Sequence, residues 1–149
     1  MKIVIGEEAS KIRNNYVRVF VDDSSKSYEE QISKLHTYVD GECYVGYLWD
    51  YLKNASNILE QDAIKMLSIV DSKVYVMWDV HSKEHILIPN YWKYPKKAIL
   101  LIDPNELLMC LDTLPEDIYC FDGTFTWTIA LTHEYIDSVR YCRFVPRTT

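Results

Sequence analysis

Apolar and polar positions change their period several times along this chain, and each change predicts an element. Residues 16–21 read YVRVFV; alternation over β-branched positions predicts a strand there, and residues 2–5 also read as extended. Ser27 followed by Glu30 forms a capping box, in which hydroxyl and carboxylate satisfy the free N–H groups of a first helical turn. Tyr28, Ile32, Leu35 and Val39 continue at helical spacing, predicting a helix that ends before Gly41. In residues 44–53, YVGYLWDYLK, a helix would put Tyr44, Leu48, Tyr51 and Leu52 on one face, with Trp49 beside them and Asp50 pointing elsewhere. Residues 60–70 carry Ile64, Leu67, Ile69 and Val70 at helical spacing as well.

From residue 73 the period falls to two. Val74, Val76 and Trp78 alternate with Tyr75, Met77 and Asp79; so little polar relief predicts a central strand buried on both faces. Ser82 and Lys83 turn it back into a strand over 85–88, and 98–102 reads as another strand. Asp103 followed by Pro104 and Glu106 supplies an N-cap, a proline at the first helical position and an acidic first turn, for a helix through Leu111.

The chain finishes in three predicted strands forming a meander. Asp122-Gly123 suits a two-residue type I′ turn, which would pair Phe121 with Thr124, Cys120 with Phe125 and Ile118 with Trp127. Alternation then places Ile118, Cys120, Phe125, Trp127, Ile129, Leu131 and His133 on one face, and Thr124, Thr126, Thr128, Thr132 and Glu134 on the other. A second hairpin through residues 135–138 would set Leu131 opposite Cys142, Ile129 opposite Phe144 and His133 opposite Arg140. The expected fold is a single α+β domain over residues 1–149, with about four helices packed on one face of a mainly antiparallel sheet.

Composition narrows the class of function. With 16 Lys and Arg against 22 Asp and Glu, the net charge is -6, which disfavours nucleic acid because phosphate binding needs clustered cations. No apolar run approaches the roughly 20 residues that span a bilayer, and residues 1–10 lack the pattern of a secretory signal. A cytoplasmic location is therefore expected, with no membrane partner. Cys43, Cys110, Cys120 and Cys142 show no C-x-x-C spacing and read as reduced, packed residues.

Candidate chemistry is sparse. His133 and Glu134 are adjacent in a predicted strand, so they should project to opposite faces and form no dyad; His133 reads as a structural or rim histidine. His81, Glu84 and His85 match H-x-x-E-H, whose zinc chemistry requires a helix, but strand-like flanks place them at a hairpin tip. There is no G-x-S-x-G elbow, no phosphate or dinucleotide loop, and only 4 Gly in all. No cofactor, metal or catalytic residue is expected. The 12 Tyr and 4 Trp on an acidic chain suit contact with a basic protein surface.

Two segments resemble known families. Residues 47–52, YLWDYL, are similar to the second helix of barstar-type ribonuclease inhibitors, where an L-W-D-x-L motif presents an aspartate to a basic nuclease. That resemblance covers about the first third of the chain and implies an inhibitory role for Asp50. Residues 121–134 match FD-x-x-F-x-W-T-x-x-x-T-H-E, a pattern that resembles small acidic bacterial proteins of the immunity type. Together they imply a non-enzymatic inhibitor of a toxin; in that reading Asp50 would supply charge, Tyr47 and Trp49 contact area, and Glu134 a second surface. The alternatives are a small hydrolase or metal-dependent enzyme using His133 or the His81/Glu84/His85 cluster, and a structural or regulatory interaction domain.

Overall fold

The computed structural model describes residues 1–34, 36–38, 41–43, 45–80 and 93–147, with 36–38 and 41–43 as backbone alone. The first half of the chain forms β1 (Lys2–Val4), α1 (Gly6–Phe20), α2 (Lys26–Tyr28), β2 (His36–Tyr38), β3 (Gly41–Cys43), β4 (Ser56–Leu59) and α3 (Glu60–Ser68). The second half forms β5 (Val74–Trp78), β6 (Ile99–Ile102), α4 (Pro104–Met109), β7 (Ile118–Phe121), β8 (Thr128–Ile136) and β9 (Val139–Val145). α2 runs on into a π-helical turn, Glu29–Ser33, and short 3-10 turns lie at Leu48–Tyr51 and Leu111–Thr113.

The fold is α+β, and its sheet is larger than the expected meander. Seven strands pair antiparallel throughout in the order β1-β6-β5-β7-β8-β9-β4, while β2 and β3 form a separate hairpin. The three C-terminal strands are adjacent as expected; β1, β4, β5 and β6 extend them on both sides.

Helices cover both faces of this sheet, not one. Met77, Ile99, Tyr119, Phe121 and Ala130 pack under α1 and α2 with Tyr16, Phe20, Tyr28 and Ile32. Val76, Trp78, Leu100, Ile118, Cys120, Ile129 and Leu131 pack under α3 and α4 with Ala63, Leu67 and Leu107. Successive residues of β5 and β7 alternate between the two cores, as the period of two requires, and Val74, Val76, Met77 and Trp78 are all buried. β5 is therefore the central, doubly buried strand that its sequence predicts.

α1 replaces the strand expected at residues 16–21. Ala9, Ile12, Tyr16 and Phe20 are buried at intervals of three and four, a helical face that outweighs the six-residue alternation of YVRVFV. Gly6, with φ of 68°, makes the turn from β1 into this helix, and Glu7 and Glu8 in the first turn complement its dipole. Ser25, not Ser27, caps α2, accepting from the Tyr28 N–H at 3.0 Å. The backbone of residues 36–38 is a strand, so the predicted helix is broken there; Leu35 and Val39 lie outside the described residues. Asp103 caps α4 as expected, accepting from the Asn105 N–H at 2.9 Å.

The hairpin registers differ in an instructive way. Ile118 pairs with Leu131 and Phe121 with Thr128, so residues 122–127 form a longer loop than the expected two-residue turn. Phe125, with φ of 52°, packs against Phe121 in the α1-side core. The β8–β9 register matches expectation at Leu131 with Cys142 and Ile129 with Phe144, then shifts between Leu131 and Glu134. Beyond that bulge Glu134 pairs with Tyr141, and Tyr135, not His133, faces Arg140. The expected threonine face is split: Thr128 is buried under α1, its hydroxyl 2.9 Å from Tyr16 Oη, and Thr132 is buried with its hydroxyl donating to the Tyr141 carbonyl, while Thr124 stands exposed in the loop.

Candidate functional site

The predicted helix around Trp49 is a single 3-10 turn, Leu48–Tyr51, held by polar groups buried in the sheet. Asp79 accepts from the Leu48 N–H at 3.0 Å and from the Tyr119 hydroxyl at 2.6 Å. The Tyr119 oxygen in turn accepts from the Trp49 N–H at 2.9 Å. These bonds satisfy the N–H groups that a one-turn element leaves unpaired, which would be costly in a buried setting. Gly46 lets the segment cross the π-helical turn closely: a Cβ there would lie 2.9 Å from Gln31 Cβ.

Above this anchor sits a carboxylate–imidazole pair. Asp117, buried at the foot of β7, accepts from Trp49 Nε1 at 2.8 Å and from the His133 N–H at 3.1 Å. The His133 ring sets Nδ1 at 2.9 and 3.0 Å from the two Asp117 oxygens. Asp117 is already an acceptor in the other bonds, so Nδ1 carries the hydrogen and a neutral ring keeps its lone pair on Nε2. The imidazole is 43% exposed and packs against Tyr47, with centroids 4.8 Å apart, and against Trp49 at 5.8 Å.

The bulge in β8 reverses the expectation for His133. Strict alternation separates it from Glu134; the register shift turns it toward Asp117, Tyr47 and Trp49, on the side of the sheet where Glu134 also lies. Glu134 accepts from Arg143 Nη2 at 2.7 Å, and the Arg143 guanidinium lies 4.9 Å from the centre of the Trp49 ring, a cation–π contact. Asp50 stands exposed beside these groups. Burial of its carboxyl against them raises its pKa, the charges of Glu134 and Asp117 add to the rise, and Arg143 and His133 oppose it.

All four residues expected to meet a partner therefore converge, together with His133, Asp117 and Arg143. One assigned role changes: Trp49 is only 6% exposed, so it frames the surface and offers little contact area. Asp79, Tyr119 and Arg143 escaped the sequence reading, and Asp117 stood out there only as a carboxylate beside Asp122, not as the partner of His133. The signal for Asp117 was its place just before β7, one step beyond the Ile118–Leu131 pair, but it becomes visible only with the true register. The His81/Glu84/His85 cluster lies outside the described residues. Among the described residues no group of three or more His, Cys, Asp or Glu side chains is placed to hold a metal ion, and no helix is long and apolar enough to cross a membrane. No family model matches the chain, and no curated protein or solved structure matches it either.

Proposed function

We propose that this protein is a non-enzymatic inhibitor of the bacterial immunity or antitoxin type, which binds a basic toxin domain through Tyr47, Asp50, His133 and Glu134. The observation that carries the reading is the convergence of Asp50 and Glu134, from separate elements, around a rigid aromatic frame. The Trp49 indole is fixed by Asp117 and capped by Arg143, so the outer groups are presented with little freedom left to lose on binding. An exposed carboxylate with a raised pKa gains from a cationic partner, because the partner's charge stabilises its ionised form. The test is a pull-down with the products of adjacent genes, followed by calorimetry on Asp50→Ala. A loss of roughly tenfold or more in affinity is expected; an unchanged affinity would rule this surface out.

The Asp117–His133 geometry favours one other reading, a hydrolase with His133 Nε2 as general base. A carboxylate on Nδ1 is the arrangement that orients such a base. Among the described residues no hydroxyl or thiol bonds to the ring, so water would be the nucleophile. Turnover of chromogenic esters or phosphodiesters that disappears in Asp117→Asn, with folding intact, would establish this reading over the first.

A further inference from the structure

The β8–β9 hairpin runs past both of its neighbours in the sheet: β7 pairs with β8 only as far as Leu131, and β4 pairs with β9 only as far as Tyr141. The projecting tip exposes Tyr135, Ile136 and Val139 at 57%, 55% and 42%. Tyr135 stands opposite Arg140 on the face of α3 and α4, while Ile136 pairs with Val139 on the other face. At the foot of the tip, on the face covered by α3 and α4, a groove of about 400 Å³ opens between α3, the Leu111–Thr113 turn and the hairpin. Ile64, Leu111, Leu114 and Leu131 give it apolar walls, and Tyr135 closes one side.

Its rim is acidic. Glu60 is paired with Arg140 at 2.9 Å, and Arg140 spends its other N–H groups on the carbonyls of Thr132 and Glu116. The Asp112 and Glu116 carboxylates are exposed and make no ion pair among the described residues. An apolar cleft edged by unpaired carboxylates repels acidic segments and favours an apolar side chain flanked by cations.

We propose that this groove and hairpin tip form a second docking surface, for a basic protein segment that inserts an apolar side chain between flanking lysines or arginines. The surface lies on the opposite face of the sheet from Tyr47 and Asp50, and it stands whether or not that surface binds a toxin. The aliphatic anchor would fill the groove against Leu111 and Leu114, the flanking cations would meet Asp112 and Glu116, and Tyr135 would close over the segment.

Three fluorescein-labelled peptides serve as probes against the full chain: a leucine–lysine amphipathic peptide, its leucine–glutamate counterpart, and a lysine–serine peptide of the same charge as the first. Saturable binding of the first, with the other two weaker by roughly tenfold or more, is expected. Asp112→Lys and Tyr135→Ser should each lose a similar factor, while Asp50→Ala leaves binding unchanged. Amide NMR shifts in the wild-type chain should cluster at Leu111, Leu114 and Tyr135, which decides the matter if a variant fails to fold. Absent binding, equal binding of the lysine–serine peptide, or shifts centred on Asp50 would each overturn the proposal. So would a chain that ignores the peptides and co-floats with phosphatidylcholine vesicles, which would make the tip a membrane contact.

Discussion

Asp79 is a carboxylate buried in the sheet, and its pH behaviour can be derived from its surroundings. Burial pushes its pKa up to about 7, against the lowering effect of its bonds from Tyr119 and the Leu48 N–H. In the unfolded chain it titrates near 4. Below about pH 4 both states hold the proton and the group costs nothing; as pH rises toward 7 only the unfolded state ionises, so stability falls. The full penalty, on the order of a few kcal/mol, is reached above the folded pKa. Asp79→Asn keeps an acceptor for Leu48 and removes the titration, so urea midpoints measured from pH 4 to 8 should decline less steeply than in wild type. A parallel decline would show that Asp79 does not control this slope. At the same scale, the sequence showed Tyr47, Trp49, Asp50 and Glu134 as candidates because their residue types stand out in an acidic, aromatic chain. It hid Asp117 and His133 as a pair, because their contact depends on a ladder register that no local pattern specifies.

The elements show where short-range patterns suffice and where they do not. β5, α3, α4 and the start of the β8–β9 ladder were legible, since each carries its own period or cap. α1 was misread because six alternating residues fit either a strand or a helix flank, and only a longer window containing Ala9 and Ile12 separates them. The Leu48–Tyr51 turn was misread as a longer helix because its stability comes from Asp79, Tyr119 and Asp117, far away in sequence. Trp49→Phe tests that dependence. It keeps an aromatic ring but removes the five-membered half of the indole with its Nε1 bond to Asp117, leaving a buried acceptor short of a partner, and should cost about 1–3 kcal/mol or more in chemical denaturation. A change under about 0.5 kcal/mol would mean that packing alone holds the turn. The hairpin tip offers the reverse experiment. Asp137 and Ser138 sit at φ of 51° and 65°, where a side chain is unfavourable. Replacing them with Asn-Gly, the pair best suited to a two-residue turn of this hand, should raise the melting temperature, with a gain of about 1–2 kcal/mol. No gain would mean the tip is not strained.

Across the whole molecule, the sequence conveyed the α+β class and the meander, but not the seven-strand order or the second helical layer. β1 and β4 are short strands whose neighbours lie far along the chain, and nothing in three or four residues names a distant partner. The order implies a gradient of protection. β5 and β7 are flanked by strands on both sides and buried on both faces, whereas β1 and β4 are edges. Amide hydrogen exchange should therefore be slowest in β5 and β7, at the free energy of global unfolding, and much faster in β1 and β4. Uniform protection across the sheet would contradict this. The same order has a consequence for synthesis. β1 needs β6 and β4 needs β9, so each edge strand leaves the ribosome long before the strand it binds. At about 5–20 residues per second, Ser56–Leu59 waits for seconds until Val139–Val145 is made. During that interval the nascent N-terminal half carries unpaired strands and the uncovered apolar face of α1, surfaces that favour aggregation until β9 arrives.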